Sequence, residues 1–425
     1  MVSEKVENFL SDVYEFRSGL SKSGSEFGSG YPFLTFKDVF YNLFVPDELG
    51  DLVNSTDAER IACDIRRGDV FLTRTSETMD ELGMSCVALR DVPLATFNGF
   101  SKRLRPKPGS NIVPEYAGYF FRGPQFRRDV TAMSSLSTRA SLNNDMLSRL
   151  RISLPSMEVQ AAIGNALKNL DDKVAHNRRI TRLLDSFARA IFRAWFVDFE
   201  PVKIKASGGK SFPSMPPSVF DALPTRLIDS EFGSVPEGWG AKPLNQVAHL
   251  TMGQSPSSEF YNLDGDGLPF HQGVSDYGFR FPTHRVYCTT DGRLAEPRDI
   301  LLSVRAPVGR INVADRRLVL GRGLAGLRHL NAHQTFLFYQ LAHVFAEEDA
   351  IGDGTIFKSV TKQFLSNMPF LVPTENVEKA FEDLVRPFDE LVATKEAETC
   401  KLLILRDYLL PRLLNGTVRV EAAHG

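Results

Sequence analysis

Apolar residues follow two different periods along this chain, and the pattern passes from one to the other twice. Short apolar runs come first, in "FLTFKDV" (33–39), "RGDVFLTRTS" (67–76) and "SRLRISLP" (148–155). Bounded by Gly, Pro and Ser, such runs predict strands. After Pro155 the spacing lengthens to seven residues. Ile163, Leu170, Asn177, Leu184 and Ile191 form one row, and Leu167, Val174, Thr181, Ala188 and Trp195 form the row beside it. Ser156 stands where an N-cap is needed, with Glu158 in the first turn. The short runs then return in "PFHQG" (269–273), "RDILLSVRAP" (298–307) and "SNMPFLVP" (366–373), and a second long helical pattern starts after Thr374 and Glu375.

The second half repeats the first. "SGLSK" with "YPF" answers "MGQSP" with "LPF", 237 residues later as counted from Pro32 to Pro269; Asp69 answers Asp299 at 230, and Pro155 answers Pro373 at 218. Insertions in the loops of the first copy produce such a falling offset while the strands stay in place. Adding 218 to the two rows gives Phe381, Phe388, Lys395, Leu402 and Leu409, and Val385, Val392, Thr399, Arg406 and Leu413. The seam turns polar at the same place in both copies, which predicts a coiled coil with a register-setting break. Antiparallel pairing places Asn177 and Thr181 opposite Lys395 and Thr399. Each helix is about forty residues, so roughly 60 Å long at 1.5 Å per residue.

The expected fold is mixed α/β and α+β: two globular domains in pseudo-twofold tandem repeat, separated by a pair of long antiparallel coiled-coil helices. The expected boundaries are 1–154 and 235–372 for the globular domains, 155–200 and 373–416 for the long helices, 201–234 for a Gly, Ser and Pro-rich connector, and 417–425 for a tail.

Composition narrows the functions. Lys and Arg number 50 against 52 Asp and Glu, so the whole chain is not basic, and a surface for nucleic acid has to be local. Four scattered cysteines exclude a disulfide framework and a cysteine-rich zinc site, and favour a reducing cytoplasm. No stretch reaches the ~18 apolar residues of a membrane helix, and no secretory leader is legible. Catalytic motifs are missing too. "GGKS" (208–211) lacks the first glycine of a phosphate loop, and neither an N-P-P-Y box nor HExxH is present. "GRGLAG" (321–326) matches a dinucleotide fingerprint in letters only, because no βαβ pattern surrounds it; its glycines predict tight turns. "HLNAH" (329–333) offers two histidines but no third metal ligand in sequence. No catalytic residue, metal or cofactor is therefore expected.

With the repeat laid out, the chain resembles the specificity subunits of type I DNA restriction-modification systems. The resemblance covers most of the chain and is carried by "MGQSPSSEFYNLDGDGLPFHQG" (252–273), "DILLSVRAPVGRINVADRRLVLGRGLAGLR" (299–328), "AIFRAWFVDFEP" (190–201) and "LRDYLLPRLLNG" (405–416). It implies a non-catalytic reader in which each globular unit is a target-recognition domain for one half of a split, asymmetric site in double-stranded DNA. The helices would then act as spacer and as docking surface for two methyltransferase subunits, an adenine-specific methyltransferase complex that restriction subunits can join. A spacing commensurate with the ~34 Å repeat of DNA suits such a rod. The first copy departs from the pattern, with "FLTFKDV" standing where "FHQGVSD" stands in the second. The alternative is a duplicated coiled-coil scaffold that binds protein partners.

On the DNA reading, phosphate contacts come from basic loops and base contacts from Arg, Lys and amide side chains. Lys102, Arg103, Arg105 and Lys107 form the favoured basic cluster, with a second at Arg122, Arg127 and Arg128. Arg74 and Thr75 follow the repeated strand in the first copy, and Arg305 and Arg310 follow it in the second. Ser255 and Gln272 are hydroxyl and amide candidates, Gln272 as an adenine reader. Lys358 and Lys362, with Arg139 as counterpart, resemble the family's loop at the base of the target domain. Phe192, Trp195, Phe196 and Phe199 exceed what a two-helix seam needs, so some of them are expected to cover a partner subunit.

Overall fold

The computed structural model describes residues 6–75, 81–134, 141–230, 233–350 and 360–420. Backbone contacts divide the chain into two units, Met1–Ala175 with Cys400–Gly425, and His176–Thr399. Both divisions fall inside long helices, so each unit takes part of each helix.

Unit one contains, in chain order, β1 (Val6–Phe9), β2 (Tyr14–Ser18), β3 (Phe27–Leu34), β4 (Val70–Thr73), β5 (Ser85–Val87), β6 (Thr96–Phe97), β7 (Ser101–Pro106), helix α1 (Pro114–Arg122), β8 (Arg151–Leu154) and the first part of α2 (Met157–Phe196). Unit two contains the rest of α2, β9 (Gly240–Pro243), β10 (Ala248–Met252), β11 (Leu268–His271), β12 (Ile300–Ser303), β13 (Ile311–Val313), β14 (Leu318–Leu320), β15 (Leu324–His329), α3 (Gln334–Ala350), β16 (Pro369–Val372) and the first part of α4 (Glu375–Asn415).

The two units share a topology. An antiparallel sheet in the order β2-β7-β4-β5 in unit one becomes β10-β15-β12-β13 in unit two. The parallel pair β3 and β6 becomes β11 and β14, and the antiparallel pair β1 and β8 becomes β9 and β16. The repeated apolar run is the middle of this plan. Val70 and Leu72 face one apolar cluster while Phe71 faces another, and Ile300, Leu302 and Leu301 divide in the same way. Covered on both faces, β4 and β12 carry continuous apolar residues instead of alternating ones.

The acidic residue before each strand has a partner on the neighbouring strand. Arg105 donates from Nε to Asp69 at 2.8 Å and from Nη2 at 2.6 Å; Arg328 donates to Asp299 at 2.6 and 2.9 Å. Both carboxylates also accept a backbone N–H three residues upstream, from Arg66 and from Glu296.

The long helices pair antiparallel within each unit. In unit one Arg406 bonds Asp171 at 2.8 Å, and Ile163 and Leu167 share a core with Leu413. In unit two Asn177 donates to Glu398 at 3.0 Å, the Phe187 and Phe388 rings lie 5.7 Å apart, and Phe192 meets Phe381 at 5.7 Å. The paired numbers rise on one helix as they fall on the other, which is the signature of opposed directions. All twenty residues of the predicted rows are buried or half-buried. At the polar break Asn177, Thr181 and Thr399 are buried, and Lys395 joins through Glu398, which it bonds at 3.0 Å.

Phe192, Trp195, Phe196 and Phe199 do not form a surface. All four are buried in the core of unit two against Phe336, Phe381 and Trp239, which corrects the expectation that some of them meet a partner. The end of α2 has two sides to fill, the helix seam and its own globular unit, and four aromatics satisfy both. The large apolar residues that do stay exposed on the long helices are Met157, Leu183, Phe187, Leu391, Ile404, Leu405 and Tyr408. Among the described residues no helix is long and apolar enough to cross a membrane.

Candidate nucleic-acid interface

In unit two the loops at one end of the sheets are tied together by backbone hydrogen bonds. After β10, the Gly253 and Gln254 amides donate to Leu324 and Leu320 at 2.9 Å each. Gly321 and Gly323 donate to the carbonyls of His271 and Gln272 at 2.8 and 3.2 Å, and Val304 donates to Gly323 at 2.9 Å. This convergence explains the glycines of "GRGLAG". A Cβ on Gly323 would lie 2.4 Å from the Gln272 carbonyl oxygen, and one on Gly321 would lie 2.7 Å from the Gln272 Cα. They are close-packing glycines, as the turn reading expects, and no helix follows to hold a phosphate.

The exposed side chains carried by these loops include Gln254, Gln272, Arg305 and Arg322. Ser255 sits among them: its hydroxyl lies 2.7 Å from Gln272 Oε1 and accepts the Arg322 backbone N–H at 3.2 Å. Arg310 is exposed on the same β12–β13 connection as Arg305, and its backbone N–H donates to Ser303 Oγ at 2.8 Å. The structure thus brings together Ser255, Gln272 and Arg305 from three separate stretches of sequence. Arg322 was missed, because it was read only as the variable letter of a glycine motif.

The residue before Gln272 is fixed by a hydrogen-bonded chain. Asp315 accepts from His284 Nε2 at 2.9 Å, and His284 Nδ1 lies 3.0 Å from His271 Nε2. With His284 donating from Nε2 to the carboxylate, its Nδ1 accepts the His271 Nε2 proton, and each ring has one tautomer. Burial, reinforced by His284, pushes the His271 pKa down to about 4, so the ring stays neutral near pH 7.

Unit one repeats this backbone with different side chains. Leu20 donates to Phe97 at 2.8 Å as Gln254 does to Leu320, and Asn98 to Leu34 at 3.1 Å as Gly321 does to His271. By this register Ser21 matches Ser255, Thr35 matches Gln272 and Gly99 matches Arg322. Thr35 is committed to capping a helix: its hydroxyl accepts the Asp38 N–H at 3.1 Å and donates to the Asp38 carboxylate at 2.7 Å. Arg74 donates its N–H to Phe100 as Val304 does to Gly323, so Arg305 corresponds to Thr75. Arg74 and Thr75 are half-buried, and Arg74 Nε is buried without a hydrogen-bond partner among the described residues.

The favoured basic cluster is not a loop. Lys102, Arg103 and Arg105 lie on β7, where alternation sends Arg103 and Arg105 to one face and Lys102 and Leu104 to the other. Arg103 bonds the Asp64 carboxylate at 2.9 Å and its carbonyl at 2.7 Å, and Lys102 bonds Ser18 and Asn144 at 2.9 Å each. Lys107 donates to the Ser11 carbonyl at 2.7 Å. Burial lowers the pKa values of Lys102 and Arg103. These four cations hold unit one together, which corrects their assignment to DNA. Arg122, from the second cluster, likewise donates to the carbonyls of Ser85, Val39, Phe40 and Asn42. Lys362 is exposed at the start of a short helix capped by Thr361. Arg139 and Lys358 lie outside the described residues.

The fold supplies the third group that "HLNAH" lacks in sequence, Glu378 on α4, whose carboxylate lies 2.9 Å from His333 Nδ1 and 3.9 Å from His329 Nε2. The arrangement does not suit a metal. His329 Nδ1 accepts the backbone N–H groups of Asn331 and His333 at 3.1 and 3.2 Å, which places its proton on Nε2, the only nitrogen facing Glu378. A metal-bound imidazole instead donates from its other nitrogen. The cluster is a buried hydrogen-bond set joining β15 to α4.

Three comparisons bear on this geometry. The family model for the type I restriction modification DNA specificity domain matches residues 3–185. Among curated proteins, a specificity subunit assigned to the MjaX type I restriction enzyme of Methanocaldococcus jannaschii is 26% identical over 420 residues, covering 97% of this chain and 93% of the relative. The HindI specificity subunit of Haemophilus influenzae is 23% identical over 448 residues, covering 92% and 95%. Among solved structures, the type I restriction-modification S subunit from M. genitalium superposes with a TM-score of 0.64 at 11% identity, over 96% of each chain, a likeness of fold.

Proposed function

The chain belongs to the type I restriction-modification specificity subunits, and on that premise we propose that the loop clusters of its two units each read one half of a split DNA site. The chain is a non-catalytic DNA-recognition subunit that acts with methyltransferase and restriction subunits. Cytoplasmic residence and two methyltransferase subunits per complex are our reading, as are target-recognition domains bounded at 1–154 and 235–372 with the long helices as spacer.

The observation that carries the proposal is the duplicated loop cluster. One backbone plan recurs, while Gln272, Arg322 and Arg305 in one copy are replaced by Thr35, Gly99 and Thr75 in the other. A shared scaffold with different side chains at matching positions is what an asymmetric two-part site requires. Arg305, Arg310 and Lys362 are assigned to the DNA surface of unit two, and Arg74 and Thr75 to that of unit one.

The test uses the full chain co-produced with its methyltransferase subunits. The complex binds a duplex carrying its own methylated motif more tightly than a scrambled duplex, and Arg305→Ala lowers the slope of log affinity against log salt by about one. Equal affinity for both duplexes overturns the proposal.

A further inference from the structure

We propose that Gln272 and Arg322 form a donor-only reading head for guanine in the half-site of unit two; this rests on the DNA-reading function above. An unconstrained glutamine offers one donor and one acceptor, the pair that suits adenine N6 and N7. Gln272 is constrained. Ser255 has one hydroxyl proton, its oxygen already accepts the Arg322 N–H, and Gln272 Oε1 lies 2.7 Å away. The hydroxyl donates to Oε1, and the uncommitted end of the amide is Nε2, with two N–H groups and no partner among the described residues.

Arg322 adds only donors. Its backbone is locked between two glycines, each of which packs on the Gln272 backbone too closely for a Cβ. Its guanidinium is exposed and forms no ion pair among the described residues, and the same holds for Arg305 across the Val304–Gly323 hydrogen bond. Gln272, Arg322 and Arg305 thus present N–H groups here, while the exposed amide of Gln254 on the β10 loop keeps both a donor and an acceptor.

Of the four bases, guanine alone places two acceptors side by side on its major-groove edge, O6 and N7. Adenine sets the N6 donor beside N7, which opposes a second donor, and cytosine presents a donor. The constraint from Ser255 therefore turns the glutamine from an adenine reader into half of a guanine reader. Unit one has the matching serine at Ser21 but neither the amide nor the arginine, so the preference belongs to one half-site only.

The experiment maps the methylated motif in cells carrying the full chain with its methyltransferase subunits, then repeats it with Gln272→Glu and Arg322→Lys. Gln272→Glu replaces donors by acceptors and is expected to move one position of one half-site from guanine toward cytosine, whose N4 donates. Arg322→Lys keeps the charge but loses the planar fork, so it relaxes the same position while leaving the salt slope unchanged. In binding assays, 7-deazaguanine at that position weakens the wild-type complex roughly tenfold.

A preferred motif that both variants leave unaltered overturns this inference alone, and so does a half-site of unit two without guanine. Uniform weakening on all sequences does the same, because it marks phosphate contact. A wild-type complex with no preferred motif overturns the DNA-reading function itself and takes this inference with it.

Discussion

Arg105 and Arg328 make the same pair in the two units at different exposures. Arg105 lies on a strand, with side-chain exposure of 18%, against an Asp69 carboxylate that is fully buried. Removing it strands that charge, so Arg105→Ala is expected to cost roughly 3 kcal/mol in denaturant unfolding. Arg328→Ala, at a pair whose arginine is 48% exposed and whose Asp299 is less deeply buried, is expected to cost less than Arg105→Ala. An Arg105→Ala protein of unchanged stability would show that the pair is not a buried one. The charge cluster was legible in sequence, but its role was not. "SKRLRP" can be a basic loop or a strand whose cations alternate between faces, and only the positions of Asp64 and Asp69 on neighbouring segments decide. Gln272 and Ser255 were identified as polar candidates, yet the hydrogen bond that joins them spans 17 residues and depends on two β-turn approaches that no local pattern reveals.

At the scale of elements, the helical rows were fully legible because a seven-residue period is a local signal that tertiary context seldom erases. The polar break is the informative exception. Asn177 is buried, donates to Glu398 and leaves its Oδ1 without a hydrogen-bond partner among the described residues. Such a residue specifies register at a cost in stability. Asn177→Leu is therefore expected to raise unfolding stability by an amount on the order of 1 kcal/mol, since Glu398 keeps Lys395. A fall in the unfolding midpoint would mean that the amide contributes net stability rather than specificity. The aromatic end of α2 was harder to assign, because a dense apolar stretch has the same sequence whether a partner or its own unit covers it.

For the whole molecule, the duplication extends to what the helices leave uncovered. Phe187 and Leu405 are both exposed, and 405 minus 187 is 218, the offset of the helical repeat. Around this matched pair each unit has further exposed apolar residues at positions of its own, Leu183 and Leu391 in one and Ile404 and Tyr408 in the other. We assign one methyltransferase subunit to each patch. Leu405→Glu with Tyr408→Glu is expected to lower the number of bound methyltransferase subunits from two to one by native mass spectrometry; a complex still holding two would sink the assignment. The tandem plan itself was legible from three ordered markers, whereas the placement of unit boundaries within the long helices was not, because periodicity does not say where a helix changes its neighbours.

The composition of unit one has a temporal consequence. Leu409, Leu410, Leu413 and Val418 pack into the same core as Leu10, Ile163 and Leu167. A ribosome delivers Leu10 early and Leu413 only after the whole of His176–Thr399 has emerged. During synthesis the second unit therefore has all its residues before the first does, and the first keeps an open apolar face until the closing helix arrives.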